Sequence, residues 1–138
     1  AKERGVEVHF IIDEKTQVDH PNTADILMEG ADGKEMFVRG VSTGGGKMRI
    51  VRINQIDVDF TGEYTTLIVK QFDKPGVVAH ITKCLADEKV NIAFLRLFRE
   101  DEGANAFTVV ETDERIPQAV LEKIKKNENI QELMLIPM

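Results

Sequence analysis

The sequence predicts an α+β chain in two halves: a small, mostly-β first domain over residues 1–62 and a β-α-β-β-α-β second domain over residues 65–138. Three observations carry that expectation. The first half alternates apolar and other residues with a period of two and holds no long stretch of helical period. The second half passes from period two to the 3.6-residue period and back, twice. Between them "TGEY", Thr61 to Tyr64, reads as a junction.

The elements follow in order. "AKERG" reads as the last turn of a helix, basic near its end and closed by Gly5 as a C-cap. A helix tail with no helix before it predicts a chain shortened at its N-terminus. In "VEVHFII", Val6, Val8, Phe10 and Ile12 share one parity, the mark of a strand. "ADILMEG" and "KEMFVRGV" flank Asp32-Gly33, a pair suited to a tight I′ turn with positive φ at both central positions. "KMRIVRI" and "IDVDF" form a second hairpin around Asn54-Gln55. Ile56, Val58 and Phe60 then face one way, and Asp57 and Asp59 form a solvated face.

"TTLIVKQF" opens the second half as a strand. A helix follows in "DKPGVVAHITKCLADEK", with Asp73 near its N-cap and Pro75 in its first turn, where the missing N–H costs nothing. Its apolar face is Val77, Val78, Ile81 and Leu85. "VNIAFLRLFRE" and "NAFTVVET" are strands joined through "DEGA". "IPQAVLEKIKKN" is a second helix, facing inward through Val120, Leu121 and Ile124, and "IQELMLIPM" is the last strand. Two β-α-β halves make the ferredoxin-like arrangement, with both helices on one face of a four-stranded antiparallel sheet.

Composition narrows the function. A net charge of −6 argues against nucleic acid, whose phosphates need a basic face. No apolar run approaches the roughly 20 residues of a membrane helix, and the N-terminus lacks a signal-peptide core. A single cysteine excludes an internal disulfide and cannot by itself hold an iron–sulfur cluster. A cytoplasmic location is expected. "STGGGK" continues into Met48, so it is not a P-loop, and no G-x-G-x-x-G occurs. His9, His20 and His80 have no metal-ligand spacing with Cys84. His80 is expected on the surface or at a dimer face, and Cys84 as a small buried hydrophobe. No nucleophile–base set is recognisable, so a complete small enzyme is the weakest functional class.

"DKPGVVAHITKCLADEKVNI" carries a resemblance: the segment Thr65 to Met138 resembles an ACT domain. In such domains two copies commonly pair, and small effectors, often amino acids, bind near the first helix's N-terminus. The physics agrees. A first helical turn offers unpaired N–H groups and a positive dipole end, suited to a carboxylate. Gly76 has no side chain to block approach, and Asn91 is expected beside it as donor and acceptor. Asp73, Pro75, Gly76 and Asn91 are therefore candidate binding residues. They are equally consistent with a helix start and a strand start.

"HPNT", "STGGGKMRIVRINQ", "GEYTTLIVKQFDKPGV" and "NIAFLRLFR" together resemble the β chain or β domain of bacterial iron–sulfur L-serine dehydratase, nearly end to end. The resemblance implies an allosteric substrate-binding domain ahead of the ACT domain. It implies a 4Fe-4S cluster in a separate α part, no cofactor in this chain and no catalysis by this chain alone. L-serine, the α part and a second copy paired through the ACT domain are the implied partners. It also suggests a role for His20, Asn22 and Thr23 together with Ser42, Thr43, Gly44, Gly45 and Gly46. An imidazole, an amide, hydroxyls and glycine N–H groups could hold a small carboxylate or dock the α part. These residues are also ordinary turn chemistry. For a site to exist, the Asp32-Gly33 hairpin must bring its two ends, at Thr23 and Ser42, side by side. The competing reading is a stand-alone ACT module that senses another amino acid.

Overall fold

The computed structural model describes residues 2–13, 17, 21–99 and 104–138. A short 3-10 helix at Lys2–Arg4 ends at Gly5, whose φ of 72° is the left-handed conformation expected of a helix-closing glycine. Two four-stranded antiparallel sheets follow. The first is a meander in the order β1-β2-β3-β4: β1 Thr23–Glu29, β2 Glu35–Gly44, β3 Lys47–Ile53 and β4 Ile56–Phe60. The second has the order β6-β7-β5-β8: β5 Thr65–Phe72, β6 Ile92–Arg99, β7 Asn105–Thr112 and β8 Ile130–Ile136. Helices α1, Val77–Asp87, and α2, Gln118–Lys125, connect its strands in the β-α-β-β-α-β order.

Period-two alternation explains how the layers stack. On β5 and β7, Leu67, Val69 and Val110 face the helices and are buried with Val77, Ile81, Cys84 and Leu85 of α1 and Val120, Leu121 and Ile124 of α2. Val78, expected in the α1 face, is only half-buried, and Cys84 takes its place. The opposite parity, Ile68, Phe107 and Val109, packs against Ile53, Val58 and Phe60 of the first sheet. The molecule therefore has three layers: helices, second sheet, first sheet. The second sheet is apolar on both faces, as a strand buried on both sides must be.

Several local expectations are corrected. Val6 to Ile12 form no strand among the described residues, and Phe10, Ile11 and Ile12 are each about nine-tenths exposed (92%, 90% and 88%). Alternation alone does not make a strand, because a strand also needs a neighbour for its N–H and C=O groups. The β1–β2 turn is not of the two-residue I′ kind. Gly33 N donates to Gly30 O (2.9 Å) and Gly30 N to Lys34 O (2.8 Å), and only Gly33 of the Asp32-Gly33 pair has positive φ, 74°. That is the wider loop closed by a left-handed glycine. Pro75 lies before the N-cap Gly76, outside the first turn of α1. Lys74-Pro75-Gly76-Val77 makes a tight turn instead, with Val77 N donating to Lys74 O (3.4 Å) and Gly76 at φ 85°. Proline second and a left-handed glycine third are what a type II turn requires.

Asp57 and Asp59 are not merely a solvated face. Asp57 pairs with Arg52 across the β3–β4 hairpin (Nη2–Oδ1 2.7 Å). Asp59 holds Arg49 on β3 and also Arg96 on β6 (Nη1–Oδ2 3.4 Å), so it ties the two sheets together. His80, expected on the surface or at a dimer face, is partly exposed and is tied to its own chain. Its Nε2 lies 3.2 Å from the carbonyls of Lys123 and of Ile124, joining α1 to the C-terminal end of α2.

Candidate functional site

The antiparallel pairing of β1 with β2 places Thr23 opposite Val41, and Ser42 N donates to Asn22 O at 2.9 Å. Asn22, Thr23 and Ser42 therefore share one end of the first sheet. His20 lies outside the described residues. Beyond Ser42 the chain bulges and turns: Gly44 pairs with Lys47, and Gly45 and Gly46 make the β2–β3 tip. All three glycines have positive φ (88°, 62° and 77°), which explains why three sit in a row. A Cβ at any of them would meet nothing within 4 Å. The tip is open, with Thr43 exposed beside it, and Ser42 Oγ reaches no further than Lys47 O (3.5 Å).

The second cluster lies at the start of α1. The helix N-cap is Gly76, with no side-chain cap and no acidic residue in the first turn. His80 N donates to Gly76 O, opening the helical ladder. The N–H groups of the first turn are thus left without a capping side chain at the positive end of the helix dipole. Asp73 does not serve as a cap. Its side chain is 12% exposed, its carboxylate pairs with Arg99 at the end of β6 (Nε–Oδ2 3.0 Å), and its N–H donates to Ala104 O (3.0 Å). Arg99, which sequence reasoning missed, neutralises the one acid nearest the helix start.

Asn91 is not beside Gly76. It precedes β6, whose first residue Ile92 pairs with Thr112 at the end of β7, whereas Gly76 follows the end of β5 that pairs with Asn105. The eleven residues of α1 separate them, about 16 Å of helix. Asn91 Nδ2 donates to Asp113 Oδ2 (2.5 Å), and Asn91 N donates to Glu114 Oε2 (2.7 Å). Its backbone N–H and one amide N–H are thus held by carboxylates at the other end of α1, so within one chain it does not reach a ligand at the helix start. The Asp73–Gly76 cluster and the Asn22–Ser42 cluster also stand apart. The former is at the Phe72 end of the second sheet, level with the Asn54 turn. The latter is at the far end of the meander.

Burial pushes the Cys84 thiol above its ordinary value, with Asp87 adding to the effect. Among the described residues no three His, Cys, Asp or Glu side chains are grouped to hold a metal ion. Nor is any described helix long and apolar enough to cross a membrane.

Residues 65–129 match the ACT domain family, and β8 follows the matched segment to complete the sheet. Across 94% of its length the chain is 31% identical to a protein of Bacillus subtilis (strain 168) named as a probable L-serine dehydratase, beta chain, and covers 58% of it. It is 31% identical over 87% of its length to the L-serine dehydratase, beta chain, of Peptoniphilus asaccharolyticus, covering 54% of that protein. The chain thus spans little more than half the length of these relatives. It is also 26% identical over 99% of its length to the D-3-phosphoglycerate dehydrogenase of Methanocaldococcus jannaschii, of which it covers 25%.

Proposed function

We propose that this chain is the regulatory and assembly part of an L-serine dehydratase, sensing or positioning L-serine and docking an α part that carries the catalytic centre. The observation that carries the reading is the near end-to-end similarity to two L-serine dehydratase β chains, joined to an ACT domain whose first helix begins without a capping side chain. A serine carboxylate suits that place: it would take N–H groups of the first turn beyond Val77, whose own N–H turns back to Lys74 O, while Arg99 screens Asp73. Asn22, Thr23, Ser42 and the glycine tip form a second, separate surface. It suits docking of the α part, since exposed backbone at a hairpin tip is open to another chain.

A 4Fe-4S cluster belongs on this reading to the α part. The donor chemistry of this chain does not fit one: its sequence has one cysteine, buried in α1 and held as a thiol. Self-association follows from β6, an edge strand with Leu95 and Leu97 half-exposed on the helix side of the sheet. A second copy adding its own β6 would cover both and satisfy the open edge. It would also bring a second Asn91 into play. The similarity to a D-3-phosphoglycerate dehydrogenase over almost the whole chain favours a second reading, a portable amino-acid-sensing module attached to different enzymes.

Calorimetric titration with L-serine and D-serine tests the first reading, together with pyruvate assays with and without the α part. The expected result is stereoselective L-serine binding and no pyruvate from this chain alone. Pyruvate from the isolated chain, or binding of neither serine, overturns it. Sedimentation that finds only monomer at high micromolar concentration overturns the β6 pairing.

A further inference from the structure

We infer that the cleft between the two sheets is a second ligand site, built for a small α-amino acid with an aliphatic side chain. The cleft encloses about 440 Å³, within the range of small-molecule sites. It lies at the Asn54 end of the first sheet, away from the glycine tip and on the opposite face of the second sheet from α1. Its floor is apolar and comes from both layers: Ile53 and Val58 from the first sheet, Ile68, Phe107 and Met134 from the second.

One row of the second sheet sets the polarity. Phe107, Lys70 and Glu132 are direct cross-strand neighbours on β7, β5 and β8. The Lys70 ammonium lies over the Phe107 ring, 5.7 Å from its centroid, and among the described residues it makes no ion pair. Glu132 stands beside this ammonium without closing an ion pair onto it, which leaves the half-buried charge able to take a ligand carboxylate above the apolar floor. The rim has the opposite sign. Asp32 and Lys34 satisfy each other (3.1 Å), and Glu29, Glu35 and Glu132 are the remaining charged residues besides Lys70 that line the cleft. Three carboxylates repel a simple fatty acid and favour a ligand that carries an ammonium as well. A zwitterion with an apolar side chain meets all three features: carboxylate on Lys70, ammonium toward Glu132 and Glu35, side chain on the floor. Occupancy would bridge the first sheet and the ACT half, coupling one to the other.

The test is calorimetric titration of the whole 138-residue chain with L-leucine, 4-methylpentanoate, isoamylamine and L-serine. L-leucine is expected to bind, with both single-charge analogues at least tenfold weaker. Lys70→Met is expected to weaken L-leucine at least tenfold and leave L-serine binding unchanged, and Glu132→Gln to weaken L-leucine several-fold. Lys70 is partly exposed, so its replacement spares the core, and an unchanged circular dichroism spectrum would verify that. Absence of L-leucine binding at millimolar concentration overturns the inference, as does equal affinity in Lys70→Met or equal binding of 4-methylpentanoate. L-serine binding without L-leucine binding would sink this site alone. L-leucine binding without L-serine binding would sink the serine reading alone.

Discussion

Single charged residues in this chain act as fasteners between elements, and their protonation sets where it is stable. Asp25 on β1 grips Arg39 on β2 through two hydrogen bonds (2.6 and 2.7 Å), and that guanidinium holds the Asp25 carboxyl below its usual range. A depressed folded pKa stabilises the fold above the unfolded value of 3.8, and that stabilisation is lost as pH falls through the folded one. Because the Asp25 side chain is 45% exposed, the loss is about 0.5 kcal/mol. Acid titration of stability should therefore flatten slightly below that value in Asp25→Asn relative to the parent. Cys84 acts in the opposite pH range. Its folded pKa lies above the ordinary thiol value of 9.0, so the unfolded chain ionises first and stability falls as pH rises past that value. Native Cys84 should react with a disulfide reagent at least tenfold more slowly than in denaturant, and Cys84→Ala should remove the alkaline decline. Equal rates in the two states would refute the burial argument. Asp59 is the most connected of the fasteners. Asp59→Ala strands Arg49 at the seam between sheets and leaves Arg96 only the backbone carbonyl of residue 59, and a loss of about 1 kcal/mol in denaturant melts is expected at this partly exposed position.

At the scale of elements, the second half was legible because each of its cues is local. The spacing of Val77, Ile81 and Leu85 announces a helix and alternation in "TTLIVKQF" announces a strand, while Pro75-Gly76, read as the helix's first turn, is the turn just before it. The turn type explains both residues of the Pro-Gly pair, and it gives a prediction. Gly76→Ala places a Cβ at φ 85° with nothing crowding it, so the cost is backbone strain alone, about 1 kcal/mol. Chemical denaturation should show that loss, and Gly40→Ala, where φ is not positive, should cost less. The candidate site was less legible. Nothing in "KVNIAF" says at which end of the sheet Asn91 will stand, because that depends on β6 running antiparallel to β7 and on the length of α1. That Thr23 and Ser42 would lie close was legible to within one residue, because a hairpin returns to its start whatever turn closes it. The turn itself was misread for a comparable reason: Asp32-Gly33 fits two hairpin loops, and the strand register chooses between them. "VEVHFII" shows the limit of pattern reading, since period two records the shape of a strand and says nothing of its neighbour.

Across the whole molecule the two halves drawn by the sequence share a core. Phe60, 2% exposed, ends the first sheet and packs in one cluster with Ile68, Phe107 and Val109 of the second. A second, larger cluster lies wholly on the helix side of the second sheet and contains no residue of the first. The first sheet has no comparable core of its own. Of its residues only Val41, Ile53, Val58 and Phe60 are buried hydrophobics, and the last three of these belong to the shared cluster. Its stability is therefore borrowed through the seam, while the ACT half keeps a helix-side core that owes the seam nothing. The first sheet should not outlast the second in denaturant, because it cannot persist once its cover is gone. Phe60→Ala removes a large buried ring and leaves a cavity, a change worth about 3–5 kcal/mol. The loss should fall unevenly: near-native hydrogen-exchange protection in α1, β5 and β7, and early loss of protection in β3 and β4. A variant that loses protection equally in both sheets would mean that the ACT half depends on the first sheet as much as the reverse, and the asymmetry argued from the two clusters would be wrong.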